Sequence, residues 1–325
     1  MSTARSYPLS FAVGAVVLYV VFIVVPSMMG IYYSLTNWSR FSSDTQFVGL
    51  DNYRSVFAER GAMWQAIKNT LLFTGLTIVT KTVIGLMLAL LVSRGIRMFA
   101  TVHRAVIYLP SVLPMIVVGI VFKSILNPST GILNGFLDRV GLDFLTAHWL
   151  TDTRLALYSI VAVDTWKGVG FIMLLLLAGL ESIPREYYEA ARIDGASALD
   201  ELRYITLPLL KPVLTVTTVL NLLYGLKVFD SVWVLTNGGP GYATETVNTV
   251  VFKEFARGHY AVSAALSTVL FFVMITVGLF LIRAHWHQLR PVGDEDGADP
   301  LAKIVEGLTD PAEDCVDLLV VLVER

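Results

Sequence analysis

The chain has 325 residues, of which 55% are apolar and only 15% charged, with a net charge of −2 and a mean hydropathy of +0.67. Soluble domains carry about 25% charged residues, so this composition excludes a soluble globular protein. The apolar residues gather into blocks long enough for the roughly 20-residue helix that crosses a bilayer, whereas barrel strands would need only about 10 residues of alternating pattern. The single cysteine, Cys315, excludes an intramolecular disulfide framework. The five histidines are scattered, with no Cys/His pair at zinc-ligand spacing, which argues against a structural metal site.

Six spans are expected, at 9–31, 66–92, 106–122, 155–180, 207–235 and 261–282. The first is too long for the apolar part of a signal peptide and is followed by Ser27-Met28-Met29-Gly30 without a small-x-small cleavage pattern, so it reads as a retained span. Pro26 in the first span and Pro110 and Pro114 in the third read as local kinks. With the amino terminus inside, ten Lys and Arg fall on inner segments and nine on outer loops. The inner segments are much shorter, so their higher cationic density favours both termini in the cytoplasm. The fold class expected is an all-α membrane protein: six transmembrane helices with a cytoplasmic helix–Gly–helix loop between spans four and five. The organisation follows as a first helix and outer loop at 1–65, a five-helix core at 66–290, and a tail at 291–325.

That tail holds ten acids and two bases, a net of −8 that leaves +6 on the remaining chain. Its first part, 291–314, reads as flexible and solvated. The apolar run 315–323 is too short to span; it is expected either to dock on the cytoplasmic side or to be an extension with no role.

Between the fourth and fifth spans, residues 181–208 have a grammar of their own. Pro184 suits a first helical turn, Glu186 complements the positive end of the helix dipole, and Arg185/Glu189 and Glu189/Arg192 stand at pairing distances, so a short helix should run to Asp194. Gly195 is placed to stop it in a left-handed turn. Ser197 can then cap a second helix, with Asp200 and Glu201 in its first turn, leading through Leu207-Pro208 into the fifth span. By physics alone, such an elbow is either an ordinary amphipathic connector or a device that transmits force to the membrane helices.

Glu189-Ala190-Ala191, three residues, Gly195, nine residues, then Ile205-Thr206-Leu207-Pro208 resembles the signature loop of the permease subunits of ABC importers. Trp166-Lys167-Gly168, Ile193-Asp194-Gly195-Ala196-Ser197 and Leu235-Thr236-Asn237-Gly238-Gly239-Pro240 look like the maltose-type branch, which imports sugars, oligosaccharides and glycerol-phosphate compounds. The resemblance covers roughly residues 10–290 and stops at the acidic tail. It implies that Glu186, Glu189, Ala190, Ala191, Arg192, Asp194 and Gly195 seat in a cleft on an ATPase subunit. It further implies a second, homologous permease subunit, an ATPase dimer, an extracytoplasmic substrate-binding protein and a bacterial or archaeal plasma membrane, with no nucleic acid as partner. The chain carries no Gly-x-x-x-x-Gly-Lys-Ser/Thr loop. It is therefore expected not to be an enzyme and to bind no cofactor itself, with ATP and Mg handled by the partner ATPase.

Ionisable groups inside a membrane usually face a cavity or a partner. Lys81, Asp164, Lys167, Asn221, Lys227 and Asp230 lie within or near the expected spans. Asp164/Lys167 and Lys227/Asp230 are each spaced by three, so each pair can lie on one helical face and neutralise itself. Alternatively, Asp164, Trp166, Lys167, Asn221, Tyr224 and Lys227 line the translocation path, where a polyhydroxy solute would use hydrogen bonds and aromatic faces. The outer sequence Asn237-Gly238-Gly239-Pro240-Gly241 reads as a tight turn. A stand-alone secondary transporter or channel is the competing function, with the polar groups as its coupling machinery.

Overall fold

In a computed structural model of the chain, residues 10–42, 44–58, 60–95 and 100–289 are described. The chain divides into a unit through Arg283 and a second, Ala284–Arg325. Of the second, the described residues 284–289 are the end of the helix Tyr260–Leu289. The expected tail at 291–325, and Leu9 at the start of the first expected span, lie outside the described residues.

Every regular element among the described residues is helical, and a single bridge pairs Thr36 with Phe47. Among the described residues, five helical stretches are long and apolar enough to cross a membrane: Val13–Ser34, Gly61–Ser93, Ala156–Glu181, Ala198–Leu226 and Tyr260–Leu281. A sixth span exists if the bent pair Thr101–Val112 and Met115–Ile125 counts as one.

Helices α1 (Ser10–Tyr19) and α2 (Val25–Ser34) form the first span, joined by a π-helical turn at Val20–Val24. The turn stands just ahead of Pro26. Proline has no N–H and its ring crowds the carbonyl four residues back; a widened turn relieves both problems. The apolar stretch of this span buries nothing against the rest of the chain. There follow α3 (Asp51–Ala58), α4 (Arg60–Leu90), α5 (Ala100–Val112), α6 (Met115–Ile125), α7 (Ile132–Arg139) and α8 (Ala156–Glu181). The chain continues with α9 (Arg185–Ile193), α10 (Ala198–Asp200), α11 (Leu207–Leu226), α12 (Asp230–Leu235), α13 (Val247–Ala256) and α14 (Tyr260–Leu289).

Two of the expected spans are broken. The third, expected as one helix over 106–122, is α5 and α6 meeting at 93°. A residue before proline is pushed out of the helical region, and Pro114 itself is extended at ψ 135°. Pro110, by contrast, stays inside α5. The fifth, expected over 207–235, ends at Leu226 and begins earlier, running without interruption from Ala198. At its end the N–H groups of Lys227 and Val228 close back on the carbonyls of Tyr224 and Gly225. Phe229 then leaves helical geometry at φ −140°, and α12 starts anew. The first break falls within an apolar run that hydropathy reads as one span, whereas the second is bracketed by Lys227 and Asp230, a polar signal the span reading passed over.

The interior is organised around α8, whose Ile160, Met173 and Leu176 are wholly buried. One cluster joins α8 to α4, α6 and α12 through Phe73, Val118, Ile160 and Val232. Another joins it to α4 and α11 through Ala89, Met173, Leu176 and Leu210. Lipid tails are as apolar as leucine, so burial does not by itself drive helices together in a bilayer; close packing and satisfied polar groups do. Gly170 shows the first: a Cβ there would lie 2.3 Å from the Ile107 carbonyl oxygen, so the backbones of α5 and α8 touch. The threonines of α4 show the second: Thr80 meets Thr165 of α8 hydroxyl to hydroxyl at 2.8 Å, and the row is also satisfied within its own helix. Thr70, Thr74, Thr77 and Thr80 donate their hydroxyls to the carbonyls of Ala66, Thr70, Phe73 and Leu76 at 2.6–2.8 Å.

Candidate functional site

The loop at 181–208 takes the shape its sequence specifies. Pro184 is the N-cap of α9, Glu186 lies in the first turn and Arg192 in the last. Gly195 has φ +82°, and a Cβ there would meet nothing within 4 Å, so backbone geometry alone calls for glycine. The Gly195 N–H donates to the Arg192 carbonyl at 3.1 Å and the Ala196 N–H to the Ala191 carbonyl at 2.9 Å, which is the paired closure of a Schellman turn. Ser197 then caps α10: its Oγ accepts from the Asp200 N–H at 3.3 Å, and Asp200 Oδ2 accepts from the Ser197 N–H at 3.0 Å.

One expected detail is corrected. Arg192 does not pair along α9 with Glu189, nor does Arg185; instead its Nε donates to Glu201 Oε1 at 2.7 Å, across the Gly195 turn. This bond, and then the nearby negative charge of Glu201, raise the Arg192 pKa, with Glu189 adding a weaker attraction. Glu201 is therefore not a solvated dipole residue: its side chain is 4% exposed. Tyr188 and Thr206 add a hydroxyl contact at 3.1 Å between the two arms. No side chain of α9 is buried, and Tyr187, Ile193, Leu199 and Tyr204 are exposed around the elbow. The elbow is locked from within and open outward.

The intramembrane charges pair differently from the spacing. Asp164 does not neutralise Lys167; its Oδ2 lies 2.6 Å from Lys81 Nζ on α4. Its other oxygen accepts the hydroxyls of Tyr224 at 2.6 Å and Ser231 at 2.8 Å. Lys167 Nζ donates to the Ser111 carbonyl at 3.2 Å, beside the break between α5 and α6. Lys227 and Asp230 form no ion pair, because the break at 227–229 puts one at the end of α11 and the other at the start of α12. A spacing of three places two residues on one face only while the helix continues.

Of the six residues considered for the path, Asp164 and Asn221 are buried, whereas Trp166, Tyr224 and Lys227 are exposed. The Trp166 ring packs on Phe122 at 5.1 Å. Asn221 stands one turn from Tyr224 and Gly225, and its Nδ2 has no partner. Sequence reasoning missed Ser231 altogether and left Lys81 without a mate. Lys81 was the one clue available, as a charge in mid-span with no opposite charge at helical spacing.

Away from this cluster, a cavity of about 310 Å³ is lined by Met63, Tyr242, Glu245, Lys253, Arg257 and His259 among others, and by none of the six path residues. The neighbouring turn at 237–241 has the left-handed residues expected of it, at Asn237, Gly238 and Gly241. Asn69 on α4 anchors the segment that follows by donating to the carbonyls of Tyr242 and Glu245 at 3.1 and 2.9 Å.

Residues 81–288, a span that includes the elbow and most of the polar cluster, match the family described as "Binding-protein-dependent transport system inner membrane component". Among similar proteins, the probable ABC transporter permease protein YurN of Bacillus subtilis (strain 168) is 35% identical over 278 residues, 85% of this chain and 94% of the relative. The trehalose/maltose transport system permease protein MalF of Thermococcus litoralis is 36% identical over 263 residues, 81% and 88% of the two chains. Among solved structures, a bacterial alginate ABC transporter in complex with an alginate pentasaccharide-bound periplasmic protein contains a chain of the same fold. Its TM-score is 0.75 at 24% identity, covering 85% of this chain and 92% of that one. The chain belongs to the family of inner-membrane components of binding-protein-dependent transport systems.

Proposed function

We propose that this permease component forms half of the translocation path of an ATP-driven importer for sugars or oligosaccharides. The observation that carries the proposal is the elbow: a short helix with no buried side chain, tied by Arg192–Glu201 and the Gly195 turn to a helix that runs directly into the fifth span. A partner that pushes on α9 would thereby move α11 without the loop absorbing the motion. The partner is an ATPase dimer, which binds ATP and Mg; the face offered to it is built from Glu186, Glu189, Ala190, Ala191, Arg192, Asp194 and Gly195. On this reading the elbow and both termini lie in the cytoplasm of a bacterium or archaeon. A second permease subunit completes the path, and a substrate-binding protein delivers solute to the opposite side. The sugar class is supported by the trehalose/maltose relative and by the alginate transporter of like fold. The exposed aromatic residues Trp166 and Tyr224 supply faces suited to the C–H surface of a sugar ring.

Reconstitution with the ATPase, the second permease subunit and the binding protein in proteoliposomes tests this directly. Sugar uptake that requires ATP and the binding protein is expected. Uptake that proceeds without the ATPase, or an elbow helix that no ATPase protects from labelling, would refute it.

A further inference from the structure

Three helices besides α8 send a side chain to one carboxylate. Lys81 comes from α4, Tyr224 from the last turn of α11 and Ser231 from the first turn of α12, and all meet Asp164 on α8. Lys81 and Asp164 are 4% and 1% exposed. The Lys81 ammonium also lies 4.3 Å from the centre of the Tyr224 ring, a cation–π contact. Gly168 makes room for the lysine stem, since a Cβ there would stand 2.9 Å from Lys81 Cε.

An isolated charge inside a bilayer is costly, whereas a pair that is neutral and hydrogen-bonded on its remaining lone pairs is tolerated. One oxygen of Asp164 accepts two hydroxyls, and the other, which accepts no hydrogen bond, is held by the charge of the Lys81 ammonium at 2.6 Å, so the pair offers no free charge to a passing solute. Two other things are held in place by it. Tyr224 has its hydroxyl tied and an ammonium over its ring, yet the residue is 45% exposed. The break at 227–229 is bridged, because Tyr224 before it and Ser231 after it donate to the same oxygen.

We propose that Lys81 and Asp164 are positioning residues: a neutral clamp that sets the Tyr224 ring and the α11–α12 break for the solute without either charge touching it. This rests on the reading of the bundle as half of a solute path. The clamp requires charge balance and an oxygen that accepts two hydroxyls; it does not require a carboxylate. Direct recognition would require the carboxylate itself.

The test is solute-dependent uptake by the reconstituted complex, with half-saturating concentration and maximal rate measured separately. Lys81→Met, which strands the carboxylate, is expected to raise the half-saturating concentration about tenfold, as displaced binding groups do, while the ATPase subunit still co-purifies. Lys81→Met combined with Asp164→Asn restores neutrality and keeps an acceptor for both hydroxyls, and it should return to within about threefold of the unmodified complex. Ser231→Ala removes one hydroxyl and no charge, so it assembles normally and should raise the half-saturating concentration about threefold. A double variant as poor as Lys81→Met, or a Ser231→Ala complex with unchanged half-saturation, would overturn the clamp. If the unmodified complex takes up no sugar, it is the sugar reading that fails, and the same variants then apply to whichever solute it carries.

Discussion

Replacing Gly195 by alanine isolates the energetic role of the elbow. The residue sits at φ +82° and an added Cβ meets nothing within 4 Å, so no neighbour has to move and the penalty is confined to the backbone. For an ordinary L-residue in the left-handed region it is about 1–2 kcal/mol, which shifts the balance between the native turn and a straightened one by roughly 5- to 30-fold. Straightening loses the Gly195 N–H bond to Arg192 and the Ala196 N–H bond to Ala191, and with them the alignment that lets Arg192 reach Glu201. Asparagine tolerates the left-handed region better than alanine. Proline cannot enter it at all and removes the N–H donor. The graded expectation is therefore unmodified, then Gly195→Asn, then Gly195→Ala, then Gly195→Pro, in declining solute-stimulated ATP hydrolysis by the purified complex. Gly195→Ala matching the unmodified complex while Gly195→Asn falls below it would refute the backbone reasoning. Full activity in Gly195→Pro would remove the elbow from the mechanism.

Other expectations follow from packing and pairing. Gly170→Ala places a methyl 2.3 Å from the Ile107 carbonyl oxygen, so α5 and α8 must separate and the yield of folded protein in detergent should fall sharply. Normal yield would show that the two backbones are not in contact. The pair Arg192–Glu201 should behave as a strut: Arg192→Glu and Glu201→Arg singly should lower transport per ATP hydrolysed, and the exchanged double variant should recover part of it. Equal loss in all three would point to a direct ATPase contact by Arg192 instead. In a Cys315→Ser background, cysteines at Asp138 and Gly241 should label from outside intact cells and a cysteine at Ala198 only from inside; outside labelling of Ala198 would invert the topology. Asn134 is unsuitable for this, being buried with its Oδ1 accepting from Trp149 Nε1 at 2.7 Å. Deletion of 291–325 separates docking of the apolar run 315–323 from an idle extension, since only the first predicts loss of the ATPase on purification.

Much was legible in the sequence by itself because it is local. Membrane location follows from blocks of apolar residues long enough to span; four of the six expected spans appear as long apolar helices near their expected places and the fifth as one shifted to Ala198–Leu226. The elbow was readable for the same reason. Pro184, Gly195 and the Ser197–Asp200 box each act within one turn of the backbone, so their positions specify α9, the left-handed stop and the next helix without reference to the rest of the fold.

Tertiary structure decided what depends on residues far apart in the chain. Lys81 and Asp164 are 83 positions apart, Tyr224 and Asp164 60, and Arg192 finds Glu201 across a turn rather than along its own helix. Helical spacing names neighbours within one helix, so it offered Lys167 as the mate of Asp164 and Asp230 as the mate of Lys227. The first pairing lost to a lysine carried in by another helix, and the second to a helix break that falls between the two residues. Hydropathy registers how much a segment avoids water, whereas these contacts are set by which helices pack together and where their backbones bend.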